Sequence, residues 1–254
     1  MEKKKNLTKQ QQQPVIMANQ FVQRTGYKLS LIEQKIILYL ISKLQPEDKQ
    51  FKYYDIPLTD FYDLCGISTP QGSYYKFIKD TFKSLSDKSW WVVNFDEEGE
   101  YEDLLRWIDK VRIYKKGYIK VRLHEDLRPH LLELKKNFTQ FELSIPLSMK
   151  SKYSVRLYEI LRSYKNLGKY NTQLEPLKEL LNAQNYNLAG DFFRWCINPA
   201  VKEINAVSDL EVHITKLYDK YNRKKITGIA FEIKEDMYPE IQMQMRADLI
   251  GEEV

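Results

Sequence analysis

The stretch Asp191-Phe192-Phe193-Arg194-Trp195-Cys196-Ile197-Asn198-Pro199-Ala200-Val201-Lys202-Glu203-Ile204, with the alternating segments 210–217 and 226–233 behind it, decides the fold. Phe193, Ile197, Val201 and Ile204 recur at helical spacing, which predicts a helix over 190–207 with one buried face. Pro199 removes one helical amide and predicts a kink near Trp195. The two later segments alternate apolar and polar residues around 218–225, the pattern of a β-hairpin. Before them, 174–183 reads as a short helix and 150–167 as a longer one with Leu157, Tyr158, Leu161 and Tyr164 on one face, interrupted at Gly168 and Asn171. Three helices followed by a hairpin predict a winged helix.

The first half repeats this order without repeating the sequence. Ser30 and Glu33 form a capping box that opens an apolar helix over 31–44, ended by Pro46-Glu47-Asp48. Thr59 is expected to cap a short helix through Cys65, and Gly66 to stop it in a left-handed conformation. A third helix over 73–86 buries Phe77, Ile78 and Leu85. A strand over 89–95 turns at Asp96-Glu97-Glu98-Gly99, and segments 104–114 and 118–123 flank Lys115-Lys116-Gly117 as a hairpin with a basic tip. The expected fold class is α+β, with two tandem winged-helix (helix-turn-helix plus β-hairpin wing) domains over 15–135 and 136–235. Residues 1–14, rich in Lys, Asn and Gln, read as a disordered tail, and 236–254 as a C-terminal tail.

Composition narrows the function. Lys and Arg number 40 against 35 Asp and Glu, a formal charge of +5, so the placement of charge matters more than its total. No apolar run reaches the roughly 18 residues of a membrane span, and the N-terminal basic residues lead into Gln10-Gln11-Gln12-Gln13 rather than a signal core, so a cytoplasmic protein is expected. Cys65 and Cys196 sit in apolar stretches and are expected to be buried thiols. His124, His130 and His213 have no metal-ligand spacing, and there is no Gly-rich phosphate loop and no Gly-x-Ser-x-Gly elbow, so neither catalytic residues, metal nor cofactor are expected. A rolling-circle nickase would need a tyrosine nucleophile beside a His-hydrophobic-His metal pair; the 18 tyrosines offer the first, and the second is absent.

The residues that fit DNA are clear. Arg194, Asn198 and Lys202 share a helix face by four-residue steps; Arg can fork onto guanine and Asn onto adenine. Lys216, Lys220, Arg223, Lys224 and Lys225 surround the second hairpin's turn against only Asp219, as phosphate contact requires. In the first half Ser73, Lys76, Lys79 and Lys83 lie on the third helix, where the lysines suit phosphates without reading sequence. Lys150, Ser151 and Lys152 open a helix, where amides and cations can hold a phosphate or simply cap it.

Several runs carry a family resemblance: Leu29-Ser30-Leu31-Ile32-Glu33-Gln34-Lys35, Phe138-Thr139-Gln140-Phe141-Glu142-Leu143, Lys150-Ser151-Lys152-Tyr153-Ser154-Val155-Arg156-Leu157-Tyr158-Glu159-Ile160-Leu161-Arg162, Pro199-Ala200-Val201-Lys202-Glu203-Ile204-Asn205 and Lys225-Ile226-Thr227-Gly228-Ile229-Ala230-Phe231. The chain resembles the iteron-binding, theta-type plasmid replication initiators (Rep) over about residues 15–235. The resemblance implies binding of double-stranded DNA at directly repeated origin sites by monomers, autorepression at the gene's own promoter operator by dimers formed through the first domain, copy control, and recruitment of the host helicase and initiator proteins. It places Arg194, Asn198 and Lys202 on the recognition helix and 216–225 on the wing. A transcriptional repressor of the same fold is the alternative reading, since it would use the same DNA contacts.

Overall fold

The computed structural model describes residues 13–45, 47–66, 74–132 and 134–235, which fall into two units, within Met1–Leu147 and Ser148–Val254. The first unit opens with strand β1 (Pro14–Ala18), α1 (Asn19–Arg24), α2 (Leu31–Ile41), β2 (Tyr54–Pro57), α3 (Leu58–Cys65) and α4 (Tyr74–Ser86). Two hairpins follow: β3 (Ser89–Asp96) with β4 (Gly99–Arg106), and β5 (Ile108–Tyr114) with β6 (Tyr118–Leu123). After α5 (Arg128–Leu131), β7 (Phe138–Glu142) and α6 (Ser144–Ser148) lead to the division between units. The sheet order β2-β6-β5 with α2, α3 and α4 is a winged helix; β3–β4 is an extra hairpin inserted between its third helix and its wing.

Apolar alternation explains the packing. Ile56, Ile119 and Val121 turn one face of the sheet inward, and Ile36, Ile78, Phe82 and Leu85 are buried residues of the helices; all belong to the core. The capping box at the start of α2 is present: Ser30 N–H donates to Glu33 Oε2 at 2.7 Å, and Glu33 N–H to Ser30 Oγ at 3.4 Å. The same carboxylate accepts the Ser84 hydroxyl at 2.8 Å and the Lys88 ammonium, tying α2 to the end of α4. Burial pushes this carboxyl upward, but Lys88 and the Ser30 and Ser84 hydrogen bonds together hold it below its usual range.

Several expectations change here. The short helix starts at Leu58, with Pro57 at its cap position and no side-chain cap bond, so Thr59 is not the cap: β2 runs straight into the helix and leaves no free turn for one. Gly66 does end it in a left-handed conformation, φ 70°. Residues 104–114 are not one strand. Trp107 is buried among Trp90, Tyr27 and Phe21 (ring centroids 4.6, 5.0 and 5.8 Å), and this anchor separates β4 from β5. The division between units lies at Leu147/Ser148 rather than near 135, because β7 pairs antiparallel with β1 (Val15 opposite Phe141, Met17 opposite Thr139) and so belongs to the first unit. Pro14, expected in the tail, already begins a strand; residues 1–12, Pro46, the 67–73 segment and 236–254 lie outside the described residues.

The second unit contains α7 (Lys152–Ser163), β8 (Lys169–Gln173), α8 (Leu174–Leu180), α9 (Ala189–Phe192), a π-helical turn (Phe193–Ile197), α10 (Asn198–Val207), β9 (Leu210–Tyr218) and β10 (Ile226–Glu235). Its sheet order, β8-β10-β9, repeats that of the first unit, with the strand nearest the first helix beside the last strand. Gly228 lets β10 and β8 approach: a Cβ there would sit 2.6 Å from the Thr172 carbonyl oxygen. Leu157, Tyr158, Leu161, Phe192, Phe193, Ile197, Ile204, Val212, Ile229 and Phe231 are buried together in this unit's core. Cys196 is buried and its thiol is pushed up to about 12 by that burial; Cys65, expected to be buried, is only half-buried because it sits at the exposed end of α3.

Candidate nucleic-acid interface

The third helix of the second unit is continuous but not uniformly α-helical. Pro199 has no N–H to give to Trp195, and the wider turn Phe193–Ile197 absorbs the missing bond just ahead of it. The expected kink is thus a π turn inside an unbroken helix. Across it Phe193, Cys196, Ile197, Ala200, Val201 and Ile204 are buried, while Arg194, Asn198 and Lys202 are exposed, so the three polar residues do share an outward face. Trp195, beside them, is 56% exposed with the Arg194 guanidinium 4.9 Å over its ring. Sequence reasoning did not single Trp195 out, because an aromatic residue in a helix reads first as core.

Two contacts fix the wing against this helix. Asn205 from α10 clasps the backbone of β9, donating to Val212 O at 2.9 Å and accepting Val212 N–H at 2.8 Å. Lys216 from β9 holds its ammonium 4.8 Å over the Phe193 ring. Lys216 is thereby exposed and partly engaged at once. Beyond it, Lys220, Arg223, Lys224 and Lys225 are all exposed at the wing's tip. The tip is held by its own polar groups: Asp219 N–H donates to Lys225 O at 2.8 Å, and Asp219 Oδ1 accepts the N–H groups of Tyr221 (2.8 Å) and Asn222 (3.0 Å). Those two amides hold the Asp219 carboxyl below the usual carboxylate range, so the loop's lone acid is spent on its backbone.

The remaining candidates fall in three groups. Ser151 caps α7, its hydroxyl accepting Tyr153 N–H at 3.2 Å; Lys150 N–H donates to Glu203 Oε1 at 2.8 Å; Lys152 lies 4.8 Å over the Tyr153 ring. Their first task is structural. On α4, Lys76, Lys79 and Lys83 are exposed; Lys79 sits 4.9 Å over Tyr75 and Lys83 pairs with Asp87 at 2.6 Å, while Ser73 lies outside the described residues. A further cationic face was missed. In the first wing Lys110 is opposite Arg122 and Arg112 opposite Lys120, with Arg112 and Arg122 both over the Tyr53 ring (4.7 and 5.2 Å). Alternation of cations within 108–123 was the available signal; only the register shows that they form one ladder.

The histidines are engaged locally: His124 pairs with Asp126, His130 stacks on Phe21 and His213 pairs with Glu211. Among the described residues no group of His, Cys, Asp and Glu is arranged to hold a metal ion, and no helix is long and apolar enough to cross a membrane.

Comparison with known proteins agrees with this architecture. Residues 14–162 match the Initiator Replication protein family, WH1, and residues 173–233 match the Initiator Rep protein family, WH2. Among solved structures, the Pi initiator protein in complex with iteron DNA is similar at 21% identity and a TM-score of 0.69, covering 89% of this chain and 99% of that one. Domains 2 and 3 of RctB align at 13% identity and a TM-score of 0.48 (84% and 92% covered). The WH1 domain of MSBI1.176, a replication protein isolated from a multiple sclerosis patient, aligns at 16% identity and a TM-score of 0.32 (40% and 79%).

Proposed function

The chain belongs to the Initiator Replication protein family, with both its WH1 and WH2 winged-helix regions, and from that membership we propose that it starts plasmid replication by binding directly repeated origin sites in double-stranded DNA. The observation that carries the reading is the exposed Arg194, Asn198 and Lys202 face, held in a fixed relation to a cationic wing by the Asn205 clasp. That arrangement suits a helix in the major groove and a hairpin on the phosphates. The similar Pi initiator protein is in complex with iteron DNA, which supports the same use of this fold. Lys76, Lys79, Lys83 and the ladder of Lys110, Arg112, Lys120 and Arg122 give the first unit backbone contacts. Bound monomers help open the origin and recruit the host helicase and initiator proteins, without making or breaking covalent bonds in the DNA. Replacing Arg194 by Ala is expected to relax discrimination at one base pair by about 1–3 kcal/mol. Competition among duplexes substituted one base pair at a time checks this; unchanged discrimination at every position would remove Arg194 from the reading.

Dimers, in this reading, repress the promoter, and the first unit supplies the contact. On the β3–β4 hairpin, Trp91, Val93 and Phe95 alternate onto one face, with Leu104 opposite Trp91, and are 62%, 42%, 65% and 39% exposed. So concentrated an apolar face fits a second copy of the chain. Phe95→Glu with Trp91→Glu is expected to weaken self-association at least tenfold in sedimentation equilibrium, because each puts a charge into an apolar contact. Wild-type and variant associating alike would place the dimer elsewhere. Replication of an origin plasmid only when this gene is supplied separates an initiator from a simple repressor.

A further inference from the structure

Tyr221 is 90% exposed, at the very tip of the second wing. Its position is not a floppy accident. Its N–H is bound to Asp219 Oδ1, Lys224 N–H donates to Asn222 Oδ1 at 3.1 Å, and Lys225 N–H to Asn222 O at 2.9 Å, so the turn presents the ring on a backbone already ordered. The Lys220 ammonium lies 5.7 Å from the ring centroid, and Arg223, Lys224 and Lys225 follow in the same loop, all exposed. A loop made only for solubility has no use for an unburied aromatic ring on an ordered turn. Cations draw in an anionic partner, and the ring needs flat apolar surface just behind that partner's charges. DNA has that layout, stacked bases between rows of phosphate.

Resting on the reading of this unit as a duplex binder, we infer that Tyr221 is a wedge: the wing's cations hold the phosphates while the ring enters the minor groove and unstacks a base step at the edge of the site. An anionic membrane also attracts cations and an aromatic ring. The wing, however, is clasped to a helix whose outward residues are Arg194, Asn198 and Lys202, and that polar face suits a groove rather than a bilayer. Wedge insertion bends duplexes toward the major groove and is easiest at flexible pyrimidine–purine steps, TA above all. Tyr221 would then deform DNA while the third helix selects it, which separates two tasks between two elements of one unit.

The test uses the full chain and a duplex enriched from random-sequence DNA by the wild-type protein, with 2-aminopurine replacing each adenine in turn. Wild type is expected to raise the fluorescence several-fold at one step beside the bases that set selectivity. Tyr221→Ala is expected to abolish that rise and lower affinity by roughly 5- to 150-fold, the value of one aromatic–base stack, while keeping base selectivity and salt slope. Tyr221→Phe should restore both. Equal fluorescence rises in wild type and Tyr221→Ala would overturn the wedge and leave the DNA-binding reading intact; so would loss of selectivity along with the rise, which would make the ring a structural part of the wing. Loss in Tyr221→Ala of binding to phosphatidylserine vesicles, with its DNA complex unchanged, would assign the ring to a membrane and overturn the wedge. A wild-type protein that enriches no sequence would overturn both proposals.

Discussion

Removing the four tip cations together, as Lys220→Ala, Arg223→Ala, Lys224→Ala and Lys225→Ala, is expected to weaken binding to every duplex alike, by a hundredfold or more at low salt, on the order of the effect of leaving several phosphates unneutralised. The slope of log affinity against log salt should flatten by about 0.9 for each phosphate that no longer has a cation against it. The turn itself should survive, because its hydrogen bonds come from Asp219, Asn222 and the backbone and none from these four side chains. Base preference should also survive, since Arg194, Asn198 and Lys202 stand on another element. Titrations of specific and scrambled duplexes at several salt concentrations check both points. An unchanged slope would mean that the wing does not touch phosphate.

Glu159→Gln is expected to cost the protein about 3–5 kcal/mol of stability, the usual penalty for breaking one partner of a buried ion pair. Arg156 and Glu159 lie one turn apart on α7 with side chains only 2% and 1% exposed, and Arg156 Nη1 meets Glu159 Oε2 at 2.8 Å. Arg156 Nε also donates to Leu180 O at 3.3 Å, so the pair joins the first helix of this unit to the end of its second. A Gln in its place removes the carboxylate charge that the buried Arg156 Nη1 meets at 2.8 Å. The loss is a large share of the roughly 5–15 kcal/mol that holds an ordinary domain together. Arg156→Met with Glu159→Leu is expected to cost far less, because neither charge is then stranded. Urea unfolding of the full chain followed by circular dichroism measures both; a single variant as stable as wild type would show the pair to be dispensable.

Local chemistry made much of the fold legible. The Ser30 and Glu33 box, the Gly66 stop and the helical spacing of Phe193, Ile197, Val201 and Ile204 depend on neighbours within a few residues, and each stands where expected. The missed strands and the misplaced domain boundary share a cause: they depend on partners far along the chain. Lys-Tyr-Asn-Thr-Gln of β8 has little strand character and is a strand only because β10 lies beside it. β2 and β1 likewise find their partners, β6 and β7, far along the chain. Trp107 looked like one more residue of an alternating segment until Phe21, Tyr27 and Trp90 gathered around it. In the interface, the polar helix face could be read from spacing alone. The Asn205 clasp, the Lys216–Phe193 contact and the first wing's cation ladder could not, because each is set by which strand pairs with which.

The most direct measurement is competition between directly repeated origin sequences and scrambled duplexes of equal length and composition for the purified full chain, across a salt series. Selective binding of the repeats by a thousandfold or more, weakening steeply as salt rises, is the expected result. Equal, weak binding to both duplexes at every salt concentration would contradict the proposal that this chain recognises its origin.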